Sequence, residues 1–161
     1  AIQASLTGHL VFATIHANTS VDTIGRLQNI GIDNYLFAAA LNVIVAQRLI
    51  KRICPDCKER IKPSREQLIG ADLEIDKYMD YPFFSGRGCE GCNETGVLGR
   101  EAIFEVLLLS DEIRQMIIDN VSLIQIRDQA LKEGMRTLYD SCRTKVLAGS
   151  SPIADLVKIC D

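Results

Sequence analysis

Two Cys-x-x-Cys pairs constrain this chain more than any other feature of its sequence. The first pair is Cys54 and Cys57, the second is Cys89 and Cys92, and 31 residues separate the pairs. Zinc takes four soft ligands in a tetrahedron, and each pair offers two thiolates at a suitable spacing. Because four thiolates leave no coordination position for water, the pattern predicts a structural Zn²⁺ site. Within the second pair, Gly91 is expected to permit a tight backbone turn.

Other uses of paired cysteines fit the chain less well. A redox motif needs only one Cys-x-x-Cys beside a thioredoxin-like unit, which the sequence does not indicate. A disulfide framework needs an oxidising compartment, and no signal-peptide pattern points to export. The chain opens on Ala1 and is expected to be cut from a longer protein. Cys142 and Cys160 fall outside the pairs and are expected to be free thiols.

The composition allows a buried core and argues against a general nucleic-acid-binding protein. Of the 161 residues 47% are hydrophobic, which excludes wholesale disorder. With 18 basic and 21 acidic residues the net charge is −3, whereas nucleic-acid-binding domains are normally basic. No apolar run reaches the ~18 residues of a membrane-spanning helix.

Positive charge is concentrated in one segment, residues 43–65. It carries a net charge of +5, from seven basic residues against Asp56 and Glu59. The basic residues are Arg48, Lys51, Arg52, Lys58, Arg60, Lys62 and Arg65. Such a segment forms either a local docking surface or a solvated strand and loop.

Hydrophobic periodicity and helix-capping signals predict a mixture of helices and strands. The apolar, β-prone run from His9 to His16 predicts a strand covered on both faces, as in the parallel sheet of an α/β domain. Further strands are predicted over 43–53 and 97–109. Helices are predicted up to Gly8, from Asn18-Thr19-Ser20 to Gly31, from Asp33 to Leu41, after Ser64-x-x-Gln67, after Ser110, from Ser122-x-x-Gln125 to Gly134, over 137–148 and after Ser151-Pro152. In the helix after Ser122, the inward residues are expected to be Leu123, Ile126, Ala130 and Leu131.

His9 and His16 stand at the two ends of the first predicted strand and are the two histidines of the chain. Seven residues apart, they would lie on opposite faces of a regular strand. A histidine at a strand end is often structural. Its side chain can also bind phosphate oxygens or move protons near neutral pH, which keeps a functional role open.

Several motifs follow one another along the whole chain. They are Thr7-Gly8-His9-Leu10-Val11 with Thr14-Ile15-His16-Ala17-Asn18, then Arg26-Leu27, Ile30-Gly31-Ile32, Ala46-Gln47-Arg48-Leu49, the four cysteines, Thr95-Gly96 with Gly99-Arg100, and Gly134-Met135. In this order they resemble the secretion ATPases that power type II secretion and type IV pilus assembly. The cysteine pairs resemble the secretion and pilus-extension branch, since the retraction branch lacks this metal site. The departures are Ala17, where Thr is usual, and Cys142, where Gly is usual.

The resemblance implies an α/β fold, the C-terminal portion of a RecA-like P-loop NTPase domain with a small tetracysteine zinc-binding subdomain and a C-terminal helical subdomain. It divides the chain into residues 1–53 of the ATPase core, 54–100 as the zinc-binding subdomain, and 101–161 as a strand with the helical subdomain. It also implies a cytoplasmic homo-hexamer at the inner-membrane face that hydrolyses ATP with Mg²⁺. The expected partners are inner-membrane platform proteins of the secretion or pilus system. The resemblance is also compatible with peripheral association with the membrane. No nucleic-acid partner is expected.

The resemblance further implies roles for individual residues. His9 and His16 would lie near the γ-phosphate of ATP, sensing it or positioning water. Gln47 and Arg48 would form a polar pair beside the nucleotide site or the subunit interface; without the resemblance they would be the solvated end of a strand. The nucleotide site or interface would be supported as well by Thr7, Gly8 and Asn18.

Two segments needed for ATP chemistry are absent from these 161 residues. Phosphates are bound by a Gly-x-x-x-x-Gly-Lys-Ser/Thr loop, the Walker A motif, yet the dipeptide Gly-Lys does not occur here. The acidic Walker B segment that holds Mg²⁺, expected just before the histidine motif, is absent too. The fragment alone is therefore expected to be inactive.

Another class of function also fits the cysteine pairs. The chain could be a stand-alone zinc-ribbon module that binds nucleic acid or a protein partner through the basic segment 43–65. Its acidic total and 6% aromatic content argue against base stacking. Contact of the same segment with anionic lipid is a third interpretation.

Overall fold

The computed structural model describes residues 1–160, without the side chain of Cys160. The helices are α1 (Ile2–Leu6), α2 (Ser20–Asn29), α3 (Asn34–Ala40), α4 (Arg65–Gly70), α5 (Ile75–Tyr78), α6 (Asp111–Ile118), α7 (Leu123–Lys132), α8 (Leu138–Leu147) and α9 (Ile153–Cys160). The strands are β1 (Val43–Ile53), β2 (Lys58–Ile61), β3 (Phe83–Gly86) and β4 (Val97–Leu108), and short 3₁₀ turns cover Pro55–Cys57 and Glu90–Cys92. This mixture confirms an α/β fold class.

The chain forms two compact units. The first contains Ala1–Ala46 and Phe104–Thr137, and the second contains Gln47–Ile103 with the residues from Leu138 onward. Strand β1 pairs with β4, and β2 pairs with β3 in an antiparallel ladder that sets Lys58 opposite Gly86. The division into 1–53, 54–100 and 101–161 concerns functional parts of a larger domain and stays a prediction.

Helix starts in the first unit follow local capping signals. The side chains of Thr19, Asp33, Ser110 and Ser122 each accept a hydrogen bond from the backbone N–H three residues ahead. Such bonds satisfy donors that the first turn of a helix leaves unpaired. The predicted helices after these residues are therefore confirmed.

The core of the first unit lies between the helices and the strands. It is made by the buried side chains of Val21, Ile24, Phe37, Ala38, Ile44, Leu107, Leu109, Ile113, Ile117, Ile126 and Ala130. Along β4, the buried residues Ile103, Glu105 and Leu107 alternate with exposed ones, as a half-buried strand requires. Leu131 is 38% exposed, so its predicted inward position is wrong; the apolar stripe of α7 is narrower than its sequence indicates.

The second unit combines the β2–β3 pair with helices α4, α5, α8 and α9. Ser64 and Gln67 form the predicted reciprocal capping box at the start of α4. The rings of Tyr78, Tyr81 and Phe83 meet edge to face, with centroids 5.4–6.4 Å apart. Such edge-to-face contacts add to the burial of apolar surface in this unit.

The predicted strand from His9 to His16 is wrong. These residues adopt no regular structure, and the side chains of Leu10 and Phe12 are 84% and 87% exposed. A β-prone run becomes a strand only where a neighbour completes its backbone hydrogen bonds, and none of the strands assigned within residues 1–160 pairs with it. Its apolar side chains consequently contact solvent.

Cys142 and Cys160 are the two cysteines that do not belong to either Cys-x-x-Cys pair. Cys142 is buried and takes part in no disulfide, as expected, whereas the side chain of Cys160 lies outside the described residues. None of the described helices is both long enough and apolar enough to span a membrane.

Helix α7 offers a matched test of the first core. Ile126 is fully buried and Ile124 on the same helix is 73% exposed. Replacing Ile126 with Ala leaves a cavity, and we expect the free energy of unfolding to fall by about 2–5 kcal/mol. Ile124→Ala should change it by less than ~0.5 kcal/mol. Urea unfolding followed by circular dichroism measures both, and equal losses would contradict the assigned core.

Candidate functional site

The four paired cysteines converge on one point in the second unit. Their ligand atoms all lie within 4.8 Å of one another. The Sγ–Sγ distances are 3.6 Å between Cys89 and Cys92, and 3.9 Å both from Cys54 to Cys89 and from Cys57 to Cys92. A tetrahedron with zinc–sulfur bonds of about 2.3 Å has sulfur–sulfur edges of about 3.8 Å. The cluster therefore has the donors and the spacing to hold a metal ion.

Both cysteine pairs are carried by 3₁₀ turns next to strand ends. Cys54 directly follows β1, and its N–H donates to the carbonyl of Gly96, the residue before β4, at 3.0 Å. Pro55 stands at the start of the first turn, where its restricted φ favours the bend. Three of the sulfur-bearing residues are buried and Cys89 is partly exposed. The cluster thus lies at the junction of the two strands.

The four thiols differ in their tendency to ionise. Burial raises the pKa of the Cys57 thiol to about 12, since a thiolate loses hydration there. Burial also raises the pKa of the Cys92 thiol, but backbone N–H groups of Cys89 and Gly96, each donating to its sulfur at 3.3 Å, outweigh that effect and lower the pKa to about 6. A bound divalent cation would supply the positive charge that four neighbouring thiolates need.

Two glycines hold this geometry: Gly96, which the sequence offered only as part of a family motif, and Gly86, which sequence reasoning missed. A Cβ on Gly86 would overlap the carbonyl of Gly96, and a Cβ on Gly96, whose φ is +72°, would overlap the carbonyl of Gly86. The two backbones approach as closely as glycine permits. At Gly91, by contrast, an added Cβ would lie 3.4 Å from Asp56 and 3.8 Å from the Cys89 sulfur. These are ordinary van der Waals distances, so the tight turn that Gly91 was expected to permit also has room for a Cβ.

The histidine segment begins where α1 ends, at Gly8 with φ +92°. Nδ1 of His9 lies 3.1 Å from the hydroxyl of Thr7 and 3.2 Å from the carbonyl oxygen of Ala4. Because a carbonyl can only accept, the bond to Ala4 requires Nδ1 to carry the proton, which leaves Nε2 as the basic nitrogen. His9 is exposed, so Nε2 is accessible to a ligand.

The remaining residues proposed for the nucleotide site are spread over both units. His16 and Asn18 are exposed in the first unit, just before the N-cap of α2. Gln47 and Arg48 are exposed residues of β1 and belong to the second unit, together with the cysteines. Their predicted roles, and those of Thr7 and Gly8, stay predictions.

A buried carboxylate that sequence reasoning missed anchors the helix after the histidine segment. Glu105 on β4 is 3% exposed and accepts hydrogen bonds from the backbone N–H of Ser20 at 2.8 Å and from its hydroxyl at 2.5 Å. A negative charge is stabilised at a helix N-terminus, and Ser20 is the first residue of α2. The alternation of β4 does not mark it in the sequence, because the exposed face of this strand, with Phe104, Val106 and Leu108, is the more apolar one.

Comparisons with known proteins point to one family. Residues 1–158 match the family model described as type II/IV secretion system protein. The type IV pilus assembly ATPase PilB of Myxococcus xanthus is 38% identical over 157 residues, which cover 97% of this chain. PilB of Thermus thermophilus is also 38% identical over 157 residues, covering 98% of this chain. The type II secretion system ATPase E of Vibrio cholerae is 34% identical over 163 residues, covering 99%.

The chain belongs to the type II/IV secretion system protein family. The resemblance identified from the ordered motifs is confirmed. Relatives named as pilus assembly ATPases and as secretion ATPases are similar to this chain to a comparable degree. The matched regions span 28%, 18% and 31% of the three relatives, so the chain corresponds to less than a third of each.

Alanine substitutions at two glycines test the close approach of the Gly86 and Gly96 backbones. Gly86→Ala introduces a Cβ where the Gly96 carbonyl lies, and we expect a loss of about 1–3 kcal/mol or more in the free energy of unfolding. Gly91→Ala adds the same atom where there is room for it and should have little effect. Thermal unfolding of both variants checks the difference, and a Gly91 variant as unstable as the Gly86 variant would contradict it.

The anchor at Ser20 can be tested with conservative and disruptive changes of Glu105. Glu105→Ala leaves the buried Ser20 donors unsatisfied and should cost about 1–3 kcal/mol in stability. Glu105→Gln should cost less, because its amide oxygen can still accept from Ser20. Asp128→Ala, at an exposed position of α7, is the control. Urea unfolding and hydrogen exchange of the Ser20 amide measure the effect; an Ala variant no worse than the control would refute the anchor.

Proposed function

We propose that this chain is the C-terminal part of an ATPase motor that drives type II secretion or type IV pilus assembly. The observation that carries the proposal is the family match over residues 1–158, together with relatives named as ATPases of both systems. The comparable identities favour neither system over the other. The motor would be a homo-hexamer with a RecA-like ATPase core, at the cytoplasmic face of the inner membrane beside the platform proteins of the secretion or pilus system.

In this proposal the histidine segment lies at the nucleotide. His9 and His16 would hydrogen-bond the γ-phosphate or the attacking water, as an imidazole can do through its ring nitrogens. The accessible Nε2 of His9 supports this role, since the Thr7 and Ala4 contacts hold the ring at Nδ1. Gly8 and Asn18 would support the nucleotide site from the two ends of the histidine segment. The pair Gln47 and Arg48 would contact the nucleotide or a neighbouring subunit.

ATP and Mg²⁺ would be bound by the full-length protein. A Gly-x-x-x-x-Gly-Lys-Ser/Thr loop, which binds phosphates through its backbone N–H groups and Lys, is not among these 161 residues. The fragment should therefore neither bind ATP tightly nor hydrolyse it. Its own contribution would be the histidine segment and the tetracysteine subdomain.

The metal at the four cysteines would be a structural Zn²⁺. Four thiolates whose sulfur atoms all lie within 4.8 Å of one another suit a soft, tetrahedral cation and leave no position for water. When bound, zinc supplies a link between the two cysteine turns and no reaction chemistry. Cys54 and Cys57 would hold it from the first turn, and Cys89 and Cys92 from the second.

The basic segment 43–65 is the basis of the alternative function, a zinc-ribbon module that binds a partner. Lys51, Arg52 and Arg60 are exposed on β1 and β2, which would present cations to an anionic surface. In the motor proposal this surface contacts anionic lipids or a platform protein, with no nucleic acid involved. A salt-dependent gel shift with DNA or RNA would favour the alternative. Co-sedimentation only with anionic vesicles would favour the membrane contact.

Zinc occupancy should depend on pH. At neutral pH the Cys57 thiol, with its pKa raised to about 12, holds a proton that zinc must displace, whereas the Cys92 sulfur, with its pKa lowered to about 6, is already a thiolate. Protons on Cys57 therefore already compete with zinc at neutral pH, and protonation of Cys92 adds a further competing proton below about pH 6. Apparent zinc affinity should fall throughout as the pH is lowered, and more steeply below about pH 6. Competition with a chromogenic chelator, carried out between about pH 5 and about pH 8, measures the apparent zinc affinity. An affinity independent of pH would contradict thiolate coordination.

The histidine assignment is tested in the full-length protein. His16→Ala should lower ATP turnover by about 100-fold or more without changing the unfolding temperature, since a positioned proton-transfer or phosphate-binding group is lost. Asp128→Ala, an exposed change on α7, is the matched control and should leave turnover unchanged. Unaltered turnover in the His16 variant would remove it from the nucleotide site. ATP turnover by the 161-residue chain alone would overturn the assignment of parts.

A further inference from the structure

The four metal-binding cysteines are unequally protected from solvent. Cys54, Cys57 and Cys92 are buried, while Cys89 is partly exposed. Cys142, which lies outside the cluster, is fully buried as well. Among the cysteines whose side chains the structure describes, a small reagent in solution therefore reaches Cys89 first.

Cys89 also has a second sulfur within reach. Its Sγ lies 3.6 Å from that of Cys92, nearer than the 3.9 Å to that of Cys54. Cys92 shares the short 3₁₀ turn that follows Cys89, so a bond between these two sulfurs needs only a local adjustment. Sensitivity to oxidants follows exposure, a neighbouring resolving sulfur and thiolate character. A bound divalent cation supplies the third, because a coordinating cysteine is a thiolate.

We propose that Cys89 is an oxidation site for hydroperoxides, with Cys92 as its resolving partner. The proposal rests on the metal site described above and is independent of ATP hydrolysis. The Cys89 thiolate attacks one oxygen of hydrogen peroxide, the O–O bond breaks, and the released hydroxide takes a proton to give water. Cys89 is then a sulfenic acid. The Cys92 thiolate attacks its sulfur, the S–O bond breaks, and the second hydroxide takes a proton. Overall, two thiolates, two protons and one peroxide give one disulfide and two waters.

The disulfide removes half of the metal's ligands. Cys54 and Cys57 remain, and two thiolates do not satisfy a cation that needs four donors. Backbone contacts such as the bond from Cys54 to Gly96 would remain, without the link through the metal. A reversible disulfide of this kind suits a reducing compartment, where such bonds are transient and redox-sensing. The tetracysteine subdomain would thus lose its metal during oxidative stress and regain it after reduction.

The test treats the zinc-loaded 161-residue chain with hydrogen peroxide and follows zinc release with a chromogenic chelator. Trypsin, which cuts after Lys and Arg, then separates the two pairs, because residues 88–100 contain Cys89 and Cys92 and residues 53–58 contain Cys54 and Cys57. We expect one zinc per chain to be released together with an internal disulfide in peptide 88–100. Dithiothreitol and added zinc should restore the complex. Cys142→Ser is the control and should behave as the parent.

Partial alkylation with N-ethylmaleimide provides a second measurement on the same chain. Cys89 should be labelled at least ~10-fold faster than the three buried ligands, as exposure governs thiol reactivity. A disulfide that joins peptides 53–58 and 88–100, a first disulfide within 53–58, irreversible oxidation, or equal labelling of all four ligands would each overturn the proposal. A disulfide in peptide 88–100 of a chain that never binds zinc would support the oxidation site and refute the metal site.

Discussion

The convergence of two short turns on four sulfurs is the constraint on which the second unit depends. Cys54 directly follows β1 and Gly96 precedes β4, so the cluster ties the end of one strand to the beginning of its partner. Gly86 and Gly96 allow the two backbones to touch, a contact that any side chain at either position would prevent. Because β2 and β3 flank the same turns, their short ladder is stabilised by the same link.

In the first unit a buried carboxylate performs a comparable task. Glu105 binds the first residue of α2 through two hydrogen bonds and so fixes the point at which the histidine segment becomes a helix. The segment itself remains exposed, with Leu10 and Phe12 in contact with solvent. Its two histidines are thus held at defined ends, at Gly8 and at the cap of α2, while the residues between them have no strand partner within residues 1–160.

Local signals were sufficient to predict much of this architecture. Residues near one another in sequence were enough to predict the bounds of β1, the four paired cysteines, and the helix caps at Asp33, Ser64, Ser110 and Ser122. The strand over 9–16 was predicted wrongly because strand formation depends on a neighbour that the run itself does not encode. The contact between Gly86 and Gly96 could not be predicted, since it depends on two chain segments meeting in space. The burial of Glu105 could not be predicted either, because the other face of β4, with Phe104, Val106 and Leu108, is the more apolar one in the sequence. The roles of the histidines and of Gln47 and Arg48 depend on the family resemblance alone.

The proposal that most needs a direct test is that the four converging cysteines hold a structural zinc, and X-ray absorption at the zinc edge tests it most directly. For the purified chain we expect one zinc per chain, with four sulfur atoms at about 2.3 Å in its first shell. We expect no nitrogen or oxygen atom in that shell. A first shell that contains nitrogen or oxygen, or fewer than four sulfurs, would contradict a closed structural site formed by Cys54, Cys57, Cys89 and Cys92.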